Sequence, residues 1–470
     1  MMHDIQAVRQ RFAHDFQRPR YHFLPPSNWM NDPNGLIHWQ GAYHLFYQHN
    51  PASAVWGNMH WGHAVSPDLL HWTDLPLALA PTPGGPDERG VFSGCAVDNG
   101  LPTLIYTGVR GEQYEIQTQC LATSRDGLLT WEKHASNPVL SAVPAVSGQT
   151  ADFRDPFVWR EADGWYMVVG SRIADVGGAV FLYRSPDLLA WEYLGPLFIG
   201  DKNVNGVIWE CPNFFKLGAH WVLIISAHTG TTTGDVIYFV GSYQDYRFTP
   251  FFQAKLSAAQ MYAPLTTVDA QQRRLLIGWI REGRDDQAML DAGWSGVQSI
   301  PRVLTLDAQQ RLVMTPIAAL DSLHGQHWHY ENLPLAASRS LEAYGTAFDL
   351  AADFSVEPQG EAGFSLLVAP DGHERVDIIY NAAQQQLNVH TIRAQRLVET
   401  RQTPHALAAG EALSLRILLD ASVIEIMANG RTSLTSRVYA SSAACAGLRL
   451  LGRQAHLRAL DLWEMPSIWQ

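Results

Sequence analysis

Apolar and polar positions alternate with a period of two along roughly the first 320 residues, with turn residues every ten or so and few stretches of helical period. The pattern predicts short antiparallel strands. Ser66-Pro67-Asp68-Leu69-Leu70-His71-Trp72 returns as Ser185-Pro186-Asp187-Leu188-Leu189-Ala190-Trp191, and a looser copy with one inserted residue runs from Ser124 to Trp131. The three tryptophans stand 59 and 60 residues apart. A second echo joins a carboxylate, a proline, a strand, a tight turn and another strand. It begins at Asp32-Pro33, at Asp155-Pro156 and at Glu210-Cys211-Pro212. Further units fit at Phe92-Ser93-Gly94 and Tyr262-Ala263-Pro264. Five units of about 50–60 residues, each a four-stranded sheet, predict a five-bladed β-propeller. The first strand of each blade would line a central channel and bring the strand-start acids together.

The pattern changes after Ser299-Ile300-Pro301-Arg302. Residues 319–338 hold few clear strands and are expected to form a linker, with a short helix as one form it could take. Alternation then returns in Phe364-Ser365-Leu366-Leu367-Val368, Val376-Asp377-Ile378-Ile379-Tyr380 and Val423-Ile424-Glu425-Ile426-Met427, with an Asn429-Gly430 hairpin turn. The expected architecture is all-β: a propeller catalytic domain over residues 1–318, the linker, and a C-terminal β-sandwich over residues 339–470. The second domain shows no acid-rich cluster, so packing, stability or assembly is its expected role.

Composition narrows the function classes. A formal net charge of −12 without basic runs argues against nucleic acid and anionic lipid surfaces. No apolar stretch is long enough to cross a bilayer, and the opening Met1-Met2-His3-Asp4-Ile5-Gln6 lacks the pattern of a secretory signal. Cys95, Cys120, Cys211 and Cys445 are scattered without metal-type pairing and read as free thiols, which favours a cytoplasmic location. Tryptophan, at 16 residues, is well above ordinary usage. Flat apolar rings beside polar groups suit sugars, although most should be core.

Three carboxylates gathered in one funnel should have their pKa values driven apart, as acid and nucleophile chemistry requires. By its sequence neighbours Trp209 and Cys211, Glu210 fits the raised member; Asp32, beside Asn31 and Asn34-Gly35, fits the anion.

The run Asn28-Trp29-Met30-Asn31-Asp32-Pro33-Asn34-Gly35 resembles glycoside hydrolase family 32, which includes invertases, sucrose-6-phosphate hydrolases and exo-fructanases. The resemblance continues through Tyr43–Pro51, His60–Ser66, Phe92-Ser93-Gly94, Arg154-Asp155-Pro156, Trp209-Glu210-Cys211-Pro212, Tyr262-Ala263-Pro264 and Trp294-Ser295-Gly296, covering essentially the whole chain. It implies a five-bladed propeller joined to a sandwich, and retaining hydrolysis of β-fructosides such as sucrose. By motif, Asp32 would be the nucleophile, Glu210 the general acid/base and Asp155 the transition-state stabiliser. Arg154 would assist Asp155. Asn31, Gln48, Trp56, Phe92, Ser93, Tyr262 and Trp279 would contact the sugar. No metal or organic cofactor is implied, and the partner is a small sugar; the oligomeric state is left open. The segments Lys255–Met261 and Arg281–Asp286 depart from the family pattern, leaving the leaving-group preference open. Lys202, Lys255, Arg281 or Arg284 could serve a phosphorylated substrate.

Plainer roles compete for several of these residues. Asp32 could be a turn former, Asp155 half of an ion pair with Arg154, and Glu210 an ordinary strand-end acid. His60 and His63 share a metal-like spacing but lack the third ligand zinc needs, so structural hydrogen bonding is expected. Cys211 reads as a small neighbour of Glu210, and the repeated tryptophans as packing residues. A catalytically silent sugar-binding propeller would need a lost carboxylate, and all three are present. Related five-bladed arabinan- or xylan-cleaving enzymes are disfavoured by the Asn-Asp-Pro-Asn-Gly and Glu-Cys-Pro contexts.

Overall fold

The structure is a computed structural model that describes residues 2–469. It is dominated by antiparallel strands, and the chain separates into two compact units. The first unit is a β-propeller containing residues 24–256 and 262–312 together with residues up to 9. Its inner strands are Asn28–Trp39, Gly90–Asp98, Phe153–Glu161, Ile208–Leu217 and Met261–Val268. Each begins an antiparallel run of strands; the third, for example, is followed in order by Gly164–Ile173, Gly177–Ser185 and Glu192–Ile199. The short strand Trp294–Ser295 lies parallel to Asn28 and Trp29, so late chain completes the first sheet.

The Ser-x-Asp repeat is a self-capping turn. Asp68 Oδ1 accepts the backbone N–H groups of Leu70 and His71 at 2.9 Å, and Asp187 Oδ1 accepts those of Leu189 and Ala190 at 2.9 and 3.0 Å. Trp72 and Trp191 then donate their indole N–H to the carbonyls of Leu69 and Leu188. Those two leucines and Leu128 in the third copy all have φ between 66° and 70°, a left-handed turn held by its own side chains.

The carboxylate–proline repeat marks a break in the strand ladder. Pairing slips between Met30 and Pro33, between Phe92 and Gly94, and between Glu210 and Asn213, and opposite Gly170 it skips from Arg154 to Phe157. Proline has no N–H to give the ladder, so an irregularity there costs little. The residues before three of these prolines, Asp155, Cys211 and Ala263, are left-handed, with φ of 61°, 47° and 45°. Such strain, of order 1–3 kcal/mol per residue, turns side chains out of the pleat and into the channel.

The second unit contains residues 10–23, 257–261 and 313 onward. Its spine is Ala347–Val368, which pairs with Leu413–Asp420 along its first third, with Arg375–Asn381 along its last, and with Gly447–Glu464 along both. Two expectations need correction. The stretch expected as linker, residues 319–338, holds a 3-10 turn at Ala318–Leu323 and a full strand, His327–Leu335, hydrogen-bonded to Gly447–Glu464. Trp328, Tyr330 and Leu333 pack on the core, but the alternation slips by one residue at left-handed Asn332, so the period-two signal is broken in sequence. Residues 10–23, expected in the propeller, belong to the second unit: the backbone N–H groups of Tyr21 and His22 donate to buried Asp420.

Candidate active site

All eleven side chains singled out above line one cavity of about 300 Å³ in the first unit, together with Trp29 and Thr233. The inner strands deliver them: Asn31 and Asp32 from the first, Phe92 and Ser93 from the second, Arg154 and Asp155 from the third, Glu210 from the fourth and Tyr262 from the fifth.

Asp32 is held from two sides. Ser93 Oγ donates to its Oδ2 at 2.6 Å and the Asn31 amide to its Oδ1 at 3.0 Å. Asn31 is itself fixed by the Trp29 indole N–H at 2.7 Å and by Gln298, whose amide reaches the Asn31 carbonyl at 2.7 Å. Asp155 accepts the Cys211 backbone N–H at 2.9 Å and gives its own N–H to Thr107. Cys211 Sγ lies 3.5 Å from a carboxylate oxygen of both Asp32 and Asp155, so the thiol fills the space between the two acids. Burial and three surrounding carboxylates push its pKa well up, which keeps it a neutral spacer.

Glu210 is gripped by cationic and phenolic donors. Arg154 reaches Oε1 with Nε at 3.1 Å and Nη2 at 2.9 Å, and the Tyr262 hydroxyl donates to Oε2 at 2.5 Å. Arg154 is anchored behind by Asp152, which Arg172 holds in turn. The expectation for Asp32 as an ordinary anion is revised. Burial pushes Asp32 up to about 6, with the charge of Glu210 adding to it and the Ser93 and Asn31 hydrogen bonds opposing. Burial also pushes Asp155 up to about 7; Arg154 opposes this, while Glu210 and Asp32 reinforce it. Glu210's sequence neighbours pointed to an apolar setting, but an arginine 56 positions away is its contact.

The walls are aromatic. Trp56, 45% exposed, meets Phe92 and Tyr114 edge-on, while Trp29 and Trp279 pack edge to face with ring centroids 5.8 Å apart. Gln48 is tied to the Val91 carbonyl at 2.9 Å. Two lining residues were not anticipated. Trp29 sits inside the Asn28–Gly35 motif, and its indole contact with Asn31 is a two-residue step that the motif already contained. Thr233 carries no motif signal. His60 and His63 do not converge: His63 bonds His44 and stacks on Phe46, and His60 bonds the Asn58 carbonyl. Among the described residues no helix is long and apolar enough to cross a membrane.

Residues 22–316 match the model of the glycosyl hydrolases family 32 N-terminal domain, and residues 319–464 that of the family 32 C terminal. A sucrose-6-phosphate hydrolase of Zymomonas mobilis is 35% identical over 464 residues, covering 90% of this chain and 86% of that protein. A levanase of Bacillus subtilis is 30% identical over 519 residues, covering all of this chain and 73% of that one. Fructan 1-exohydrolase IIa from Cichorium intybus superimposes with a TM-score of 0.85 at 27% identity, covering 96% of this chain and 98% of that chain. The chain belongs to glycosyl hydrolase family 32.

Proposed function

We propose that this enzyme is a retaining β-fructofuranosidase that hydrolyses the fructosyl bond of sucrose or related short fructosides. The observation that carries this reading is the meeting of Asp32, Asp155 and Glu210, from three separate strands, in one aromatic-walled hollow. Asp32 attacks the anomeric carbon while Glu210 gives its proton to the departing oxygen, and the bond between that carbon and oxygen breaks. The resulting ester of Asp32 is then attacked by water, Glu210 takes the water's proton, and fructose leaves with Asp32 free again. Asp155 and Arg154 hold ring hydroxyls. Cys211 keeps the two aspartates apart without joining the chemistry. No step calls for a metal.

The same reading makes the five inner strands the first strands of five blades and the second unit a β-sandwich. Its functional boundary falls near residue 318, between the stretches that match the two family domains. Four unpaired cysteines support a reducing, cytoplasmic setting. Purified protein is expected to release glucose and fructose from sucrose, and Asp32→Asn or Glu210→Gln to abolish release while the fold, followed by circular dichroism, is kept. Full turnover by Asp32→Asn would refute the mechanism.

One observation favours sucrose 6-phosphate as a second substrate, the activity named for the Zymomonas relative. Of the four basic residues considered, Lys255 pairs with Asp235, Arg284 pairs with Glu282, and Lys202 is exposed on a loop. Arg281 bonds Thr233 Oγ1 at 2.6 Å and lies over the Tyr262 ring, against two cavity-lining residues. If it serves a phosphate, Arg281→Ala lowers kcat/KM on sucrose 6-phosphate about tenfold more than on sucrose, as befits one charge-assisted hydrogen bond. Equal losses on both would assign Arg281 to packing.

A further inference from the structure

The inner strands line more than the active site. Just past the acids, Asn34, Gly94, Pro156, Asn213 and Pro264 enclose a constriction of about 10 Å³, too small for more than one water. Beyond it, residues 36–38, 95–98, 157–161, 214–216 and 265–268 of the same five strands open into a cavity of about 660 Å³. The order is the same down every strand, so this is the opposite mouth of the channel. At ~3.3 Å per residue it lies roughly 20 Å from Asp32. No sugar passes between the two cavities.

The far cavity holds an uncompensated cation. The Arg274 guanidinium lies over the Phe215 ring, 4.5 Å from its centroid, and makes no hydrogen bond or ion pair among the described residues. Burial lowers its pKa to about 10, with no carboxylate to oppose the shift. The guanidinium is half-buried and faces the cavity, and among the described residues no side chain or carbonyl supplies acceptors for its five donors. Lys216 and Arg160, exposed and free of ion pairs among the described residues, line the same space; Arg160 rests on Trp165. The acids there, Asp98 and Glu161, are engaged by the Gly100 N–H and the Trp159 indole. The Thr266 hydroxyl and the Trp165 indole N–H, each in a residue 4% exposed, have no hydrogen-bond partner among the described residues.

We propose that this cavity is a second ligand site that takes a small phosphorylated sugar. The phosphate pairs with Arg274 in the two-pronged geometry guanidinium favours, with Lys216 and Arg160 adding charge. The sugar body lies against Trp159 and Trp221, apolar faces beside polar edges. The volume falls within the ~300–1,000 Å³ typical of small-molecule sites. This proposal is independent of what the active site cleaves.

Calorimetric titration of the full chain with fructose 6-phosphate, inorganic phosphate and fructose tests it. Fructose 6-phosphate is expected to bind at least about tenfold more tightly than fructose, and Arg274→Gln to weaken it about tenfold with sucrose hydrolysis unchanged. Trp56→Ala, which alters only the active-site wall, should leave the phosphate ester's affinity intact. If Arg274→Gln misfolds, the exposed double variant Arg160→Ala/Lys216→Ala replaces it and should weaken binding several-fold. Unchanged affinity in these basic-residue variants, loss of affinity in Trp56→Ala, fructose binding as tightly as its phosphate, or no binding to the wild-type chain would each overturn the proposal.

Discussion

Asp32 is a buried acid that must be ionised to attack, and its local contacts decide how much of it is. With a pKa near 6, it is mostly charged at neutral pH and becomes protonated as pH falls. A protonated carboxyl is no nucleophile, so kcat/KM on sucrose should fall as pH drops through about 6. Asp155, pushed up to about 7, titrates alongside it, so the measured limb belongs to the pair. The Ser93 hydrogen bond favours the charged form of Asp32. Ser93→Ala should therefore raise the midpoint of the acid limb by about one unit, the equivalent of one modest hydrogen bond. A pH–rate profile in which the limb stays put would show that Ser93 does not set the nucleophile's charge. At this scale the sequence was informative because the repeat aligned Asp32, Ser93, Asp155, Glu210 and Tyr262 at equivalent strand starts. It was silent on which charges would meet. The Arg154–Glu210 contact joins neighbouring blades, and no local spacing records it.

The elements that carry these residues are built on turns whose cost is met by their own side chains. In the Ser-x-Asp turn, Leu188 stays left-handed because Asp187 accepts two backbone N–H groups and the Ser185 hydroxyl. These hydrogen bonds hold the Asp187 carboxyl below the usual range. Asp187→Ala strips the turn of all three and should lower stability by about 1 kcal/mol, as loss of a helix cap does. The turn lies outside the catalytic hollow, so KM and kcat on sucrose should hold at temperatures where the variant is folded. A denaturant midpoint equal to that of the parent would mean that the turn is held by Leu188 and Trp191 packing alone. The repeat was visible because Ser, Asp and Trp each do a fixed job in it. Strand His327–Leu335 was hidden because its outward positions are His, Glu and Asn, and a proline falls near its end.

Across the whole chain, the second unit depends on a charge that neither of its sequence neighbourhoods reveals. His22 is completely buried, with Nδ1 2.8 Å from Asp420 and Nε2 2.9 Å from Glu425, two acids some 400 residues later. Burial alone would lower its pKa; the two hydrogen-bonded carboxylates outweigh that and raise it to about 9. An unfolded histidine titrates near 6.5, so between about 6.5 and 9 the folded state holds a proton that the unfolded state has released. The stability this supplies is complete below about pH 6.5 and is lost as pH rises toward 9. A shift of this size corresponds to on the order of 3 kcal/mol for the parent chain. Removing the imidazolium takes one positive charge away from two buried acids. His22→Gln should therefore be less stable than the parent at pH 6, and the gap should narrow as pH approaches 9. Chemical unfolding of both proteins at pH 6, 7.5 and 9 would check this. A constant gap at all three values would mean that His22 is neutral in the fold, and that residues 10–23 are bound to the second unit by packing and backbone hydrogen bonds alone.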